Sequence, residues 1–121
     1  SHNTGQKMFY VLHKVKGKNI KMKISFMGLG QMGKGMALNI AKGDCEFLAY
    51  DVIDKAFPEF EERGIRTSTN IGDIYDSDVI FLCLPNTKVV EDVILGENGL
   101  IDNLKANQII VDWSIGNSKY R

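Results

Sequence analysis

The sequence predicts an α/β fold: a doubly wound parallel sheet of about five strands, in the order 3-2-1-4-5, with helices on both faces. Three observations predict it. Short apolar runs alternate with helix-patterned segments over connections of about 2–6 residues, as parallel strands joined by helical crossovers require. One run, Val79–Leu84 (VIFLCL), is continuously apolar, as a strand covered on both faces must be. A glycine-rich turn, Gly28-Leu29-Gly30-Gln31-Met32-Gly33, separates the first apolar run from the first helical pattern.

The totals fit one domain. The chain has 121 residues, 44% apolar and 25% charged, which is ordinary for a globular protein with a real core. No window approaches the roughly 18 consecutive apolar residues of a membrane span. Residues 1–21 lack the apolar core of a secretory signal. Cys45 and Cys83 have no metal-like spacing, so free thiols in a reducing cytoplasm are expected, with neither metal nor membrane. The net charge of zero is uneven: residues 1–23 carry six lysines and no acid, and the remainder nine basic and fifteen acidic residues. A basic arm can contact nucleic-acid phosphates. This one lacks arginine and any nucleic-acid fold signature, so nucleic-acid binding is the weaker reading, and a solvated or non-native leader is expected over 1–21.

Taken in order, Phe9, Val11 and Val15 alternate with polar residues before Gly17-Lys18-Asn19, which allows a hairpin within that leader. A single α/β domain, the one that carries the glycine turn, is expected over 22–121. Lys23–Met27 is the first strand. Gln31–Lys42 reads as a helix whose Met32, Met36 and Ile40 form an apolar stripe for packing on the sheet, and Gly43 ends it. Glu46–Tyr50 is the second strand, with Asp51 at its end. Asp54–Arg63 is helical, with Phe57 and Phe60 inward and Pro58 tolerable only in a first turn, and Gly64 closes it. Ile65–Ser68 is a short third strand, Asn70–Asp76 a short helix, and Val79–Leu84 the fourth strand. Thr87 is placed to cap a helix bearing Val89, Val90, Val93 and Ile94. After the Gly96-Glu97-Asn98-Gly99 loop, Leu100, Ile101 and Leu104 suggest a further helical turn, and Ile109–Trp113 (IIVDW) is the fifth strand.

The glycine segment fits a dinucleotide fingerprint. Gly28 permits a tight turn, Gly30 a close phosphate approach and Gly33 close helix–strand packing, while helix-start amides at Leu29, Gln31 and Met32 face the negative charge. Asp51 lies 18 residues beyond Gly33, where a carboxylate accepts hydrogen bonds from the adenosine ribose. It also repels a 2′-phosphate, which favours NAD and leaves NADP open. Leu84, Pro85 and Asn86 follow the fourth strand and are candidates for the pocket wall; an ordinary strand exit is the equal alternative. Ser114 ends the fifth strand on the ligand side as a candidate substrate contact, and Asp112 has the alternative of capping a local turn. No general acid or base is identifiable, because His2 and His13 fall in the leader. No catalytic residue is assigned.

Phe26 to Asn39 (FMGLGQMGKGMALN), Asp78–Pro85 (DVIFLCLP), Val89-Val90-Glu91 and Leu95-Gly96-Glu97-Asn98-Gly99-Leu100 together resemble the β-hydroxyacid dehydrogenase family, which includes 3-hydroxyisobutyrate dehydrogenase and, more distantly, 6-phosphogluconate dehydrogenase. The resemblance covers about residues 22–114. It implies a Rossmann-type domain and NAD(P)-dependent hydride transfer between a small hydroxyacid and its semialdehyde. It further implies Gly28 to Gly33 on the pyrophosphate, Asp51 on the ribose, Leu84-Pro85 on the ribose and nicotinamide side, and Ser114 on the substrate carboxylate. Ile115 stands where the family has threonine, and Gly116-Asn117-Ser118 departs from its proline-bearing continuation. The family's lysine segment and helical second domain have no counterpart, so the expectation is a domain that binds dinucleotide and turns over little alone. The alternative is a non-catalytic nucleotide-binding module that self-associates through the fifth-strand edge, with Ile109, Ile110 and Trp113 poorly covered.

Overall fold

A computed structural model describes residues 21–114; the expectations for the leader, including its hairpin, and for Ile115 to Arg121 lie outside these residues. The elements are β1 (Met22–Met27), α1 (Gln31–Ala41), β2 (Cys45–Tyr50), α2 (Phe57–Glu61), β3 (Arg66–Ser68), a 3-10 turn (Ile71–Ile74), β4 (Val79–Leu82), α3 (Thr87–Leu95), α4 (Leu100–Asn103) and β5 (Ile109–Asp112). They form one five-stranded sheet in the order β3-β2-β1-β4-β5, all pairs parallel, as the sequence predicts. In β1 the register sets Met27 opposite both Tyr50 of β2 and Leu82 of β4. These three residues therefore end together at the carboxyl edge of the sheet.

Side chains alternate across the pleat and give the sheet two apolar faces. On one, Ile24, Phe26, Phe47, Ala49, Val79 and Phe81 pack with Ala37 of α1 and with Phe57 and Phe60 of α2. On the other, Met27, Leu48, Tyr50, Ile80 and Leu82 pack with Ile74 of the 3-10 turn and Leu100 of α4. A five-residue helix such as α2 has little stability of its own. Its buried Phe57 and Phe60 hold it, at about 1.5–3 kcal/mol for each fully buried side chain. Pro58 sits in the first turn of α2, and Gly64 adopts φ +77° just past it, as the sequence predicts. Phe26, Phe81 and Trp113 form an aromatic row across β1, β4 and the end of β5, with successive ring centroids 5.9 and 5.0 Å apart. One polar pair lies inside: the hydroxyls of Ser25 and Ser77, both buried, are 2.5 Å apart.

Three local expectations change. Met32 is exposed and the fully buried face of α1 is Gly33 and Ala37, with Met36 and Ile40 half-buried beside it. Small residues face inward because the helix start lies so close to the β1 turn that a Cβ on Gly33 would fall 2.1 Å from the Gly28 carbonyl oxygen. The α3 cap is Asn86, whose side-chain oxygen accepts from the Val89 amide at 3.0 Å, rather than Thr87, the first helical residue. The helical segment expected over Asp54–Arg63 contracts to Phe57–Glu61, the part its two phenylalanines anchor.

Candidate functional site

The glycine turn crosses the carboxyl edge of the sheet between β1 and α1. Gly28 extends the β1–β2 ladder by donating its N–H to the Tyr50 carbonyl at 3.0 Å. It has φ +104°, and a Cβ there would lie 2.2 Å from the Cys83 carbonyl oxygen, so conformation and contact both require glycine. Gly30 differs. Its φ is an ordinary −64°, and a Cβ on it would meet nothing within 4 Å. Within the folded chain nothing demands glycine at this position; what it leaves is open space in front of a helix start.

That start is bare. Gly30 is the N-cap of α1 without a side-chain capping bond, and no acidic residue lies in the first turn. The Lys34 N–H to Gly30 carbonyl bond, at 2.7 Å, is the first of the helix. The amides of Gln31, Met32 and Gly33 therefore precede the helical ladder and, with the helix dipole, can bind an anion.

A cavity of about 580 Å³ opens at this edge, within the range of a cofactor pocket. The turn forms its floor through Gly28, Gly30, Gln31, Met32 and Gly33, and Asp51, Leu84 and Pro85 stand on its walls. The structure thus brings together eight of the eleven residues singled out from the sequence. Leu29 turns its side chain into the core, 4% exposed. Asn86 is exposed and occupied by capping α3, outside the cavity wall. Ser114 is not among the lining residues: its hydroxyl accepts from the Leu84 amide at 2.7 Å, while its own amide donates to the Asp112 carboxylate at 2.8 Å. Asp112 thus caps the local turn that holds Ser114.

The cavity has apolar walls that sequence reasoning missed. Val52 follows Asp51, Ile71 starts the 3-10 turn, and Val89 and Val93 lie one helical turn apart on α3. Only the α3 pair carried a readable signal, since a helix whose apolar side is not fully buried has a face to spare; none of its residues is buried. Val52 is 74% exposed and presents its side chain to the cavity. Cys83 and Tyr50 complete the wall. Burial raises both above their ordinary pKa, with Asp112 adding to Cys83 and Asp51 to Tyr50, so thiol and phenol stay neutral at neutral pH.

Asp51 is half-buried between this cavity and a second depression of about 600 Å³, which shares Gly30 and Gln31 and adds Lys34 and Lys55. One Asp51 oxygen accepts from the Leu29 amide at 2.9 Å and the other from the Val52 amide at 2.7 Å. Lys34 is paired with Glu59 at 2.9 Å, whereas Lys55 has no ion pair among the described residues. Two lysines thus line the same depression as Asp51. Among the described residues no group of three or more histidine, cysteine or carboxylate side chains could hold a metal, and no helix is long and apolar enough to cross a membrane.

Comparison with known proteins agrees with this geometry. Residues 23–121 match the family described as the NAD binding domain of 6-phosphogluconate dehydrogenase. The 2-(hydroxymethyl)glutarate dehydrogenase of Eubacterium barkeri is 37% identical over 94 residues, covering 77% of this chain and 31% of that protein. The mitochondrial 3-hydroxyisobutyrate dehydrogenase of Rattus norvegicus is 32% identical over 95 residues, covering 78% of this chain and 28% of that one. Among solved structures, 3-hydroxyisobutyrate dehydrogenase from Salmonella typhimurium superposes with a TM-score of 0.71 at 18% identity, over 82% of this chain and 35% of that one. An imine reductase from Myxococcus stipitatus in complex with NADP+ gives 0.69 at 12% identity, over 80% and 33%. At such identities the structures establish the fold alone. The chain spans about a third of the length of the curated relatives it matches. A glycine turn, a bare helix start and a strand-end aspartate around one cavity, together with a family match over 23–121, make this chain a member of the family of the NAD binding domain of 6-phosphogluconate dehydrogenase.

Proposed function

We propose that the chain is the cofactor-binding part of a β-hydroxyacid dehydrogenase, with NAD preferred over NADP. The observation that carries this reading is Gly30, which the folded chain leaves free of any steric or conformational demand for glycine, directly in front of the unsatisfied amides of α1. A diphosphate approaching those amides supplies the demand. The fit extends outward from there. Gly28 to Gly33 would hold the pyrophosphate, Asp51 the adenosine ribose, and the exposed Val52 with Val89 and Val93 an apolar ring. Asp51 supports NAD because its carboxylate would sit against a 2′-phosphate; Lys55, without an ion pair among the described residues, lines the same depression.

A nicotinamide dinucleotide supplies hydride to or from the carbon bearing the hydroxyl. The chain's own residues bind and orient. The Ser114 hydroxyl, already accepting from Leu84, keeps its hydrogen to donate to a carboxylate of a hydroxyacid or semialdehyde substrate. Proton transfer falls, on this reading, to the lysine that the family carries on a later segment. Location in the cytoplasm and self-association through β5 belong to the same proposal. Among the described residues β5 pairs on one side only, with Ile109, Ile110 and Val111 half-exposed, and such an edge is a template for another strand.

Calorimetric titration of NAD into the wild-type chain and Gly30→Val tests the reading. Open space around Gly30 means that the variant folds, and its side chain should then occupy the phosphate approach and weaken NAD at least about tenfold, or 1.4 kcal/mol. Equal affinity in both chains, or no binding to the wild type, would sink the cofactor assignment.

A further inference from the structure

The β1–β2 ladder reaches Met27 opposite Tyr50, and the Gly28 N–H then takes the Tyr50 carbonyl. One residue on, the chain has turned away and no main-chain carbonyl continues the ladder. The Leu29 N–H instead finds Oδ2 of Asp51 at 2.9 Å. The adjacent turn amides of Gly28 and Leu29 are thus held by adjacent residues of the β2 end, first through a carbonyl and then through a carboxylate. Asp51 is itself fixed, because its N–H donates to the Ser68 carbonyl of β3 at 3.3 Å and its Oδ1 accepts from Val52. The Leu29 amide needs this partner: its side chain is buried in the core, and an unsatisfied amide there carries a desolvation cost.

We infer that Asp51 is a positioning residue for the glycine turn, holding Leu29, and through it Gly30 and the start of α1, in the phosphate-receiving arrangement before any ribose is bound. Its relevance to cofactor rests on the dinucleotide reading above; the anchoring itself does not. It follows that selectivity for NAD cannot be relaxed at this position by removing the whole side chain, because the same carboxylate builds the turn. Asparagine keeps a side-chain oxygen that can accept from the Leu29 amide. Alanine keeps none.

Amide hydrogen exchange on the ligand-free 121-residue chain, followed by NMR, compares wild type, Asp51→Asn and Asp51→Ala, and both dinucleotides are then titrated into each. The Leu29 amide should exchange at least about tenfold faster in Asp51→Ala than in wild type while Ile24 and Phe26 in β1 keep their protection, with Asp51→Asn in between. Both dinucleotides should weaken in Asp51→Ala, whereas Asp51→Asn should raise the NADP-to-NAD affinity ratio. Unchanged Leu29 exchange in Asp51→Ala, or NADP bound by Asp51→Ala as tightly as by Asp51→Asn, would overturn the inference. Should the alanine variant fail to fold, the same Leu29-to-Ile24 exchange ratio in Asp51→Asn decides, an unchanged ratio counting against the anchor. A wild-type chain binding neither dinucleotide would reject the cofactor reading, and Leu29 exchange would still decide the anchor.

Discussion

The carbonyl oxygen of Gly28 lies 2.1 Å from where a Cβ on Gly33 would stand, so the turn and the first helical turn of α1 touch main chain to main chain. Gly33→Ala must push the two apart, and backbone gives way less easily than a side-chain tip. We expect it to destabilise the fold by roughly 2–3 kcal/mol, against less than about 0.5 kcal/mol for Gly30→Ala, where the space is open. Urea unfolding of the two variants makes the comparison. Equal midpoints would mean that the turn yields at no cost.

Asn86→Ala should cost about 1 kcal/mol, the usual effect of losing a side-chain N-cap, because the Val89 amide loses its acceptor. Asn86→Asp should restore most of it, since a carboxylate accepts the same bond and suits the positive helix end. Thermal unfolding of both variants reads the difference, and an alanine variant as stable as wild type would remove Asn86 from this role.

The cysteines give a pH dependence with a definite sign. Burial, then Asp44, pushes the Cys45 thiol from 9.0 up to about 11, Lys21 opposing. The unfolded chain therefore loses this proton first as pH rises, so the folded state binds more protons between about 9 and 11 and stability falls across that window. Below about 9 both states hold the proton and the effect vanishes. Urea midpoints at pH 8 and pH 10 should drop more in wild type than in Cys45→Ala. An equal drop would place the Cys45 thiol in a more watery setting.

The legible parts of the sequence were those where one physical demand acts on a run of residues. VIFLCL has to be covered on both faces, so its strand and central place were readable, although pairing stops at Leu82, opposite Asp112, and Cys83 and Leu84 go to the cavity. The α1 stripe was legible except at Met32, because an apolar residue facing a cavity has the same period as one facing a sheet. Met32 lines the cavity, while Met36 and Ile40 pack half-buried on the core beside the fully buried Gly33 and Ala37, which close approach selects and hydropathy ignores. The apolar wall from Val52 and Ile71 lies in short connections with no period to read. The place of Asp51 beside the glycine turn was legible from its distance to the glycines, but its bond to Leu29 joins residues 22 apart and leaves no local trace.

The sheet described above contains only parallel pairs, and this governs how the chain reaches its fold. No two of the five described strands can meet through a tight hairpin, so each of these pairings waits until an intervening segment has closed a long loop. The central contact of β1 with β4 must wait for β2, α2 and β3 to be passed over, from Ile24 to Val79. Loop closure of that kind precedes its reward, which makes folding slow relative to a helical bundle of similar size and leaves the apolar strands uncovered for longer. A newly made chain is therefore most vulnerable to aggregation after β1 and β2 have been synthesised and before VIFL emerges to take the place beside β1.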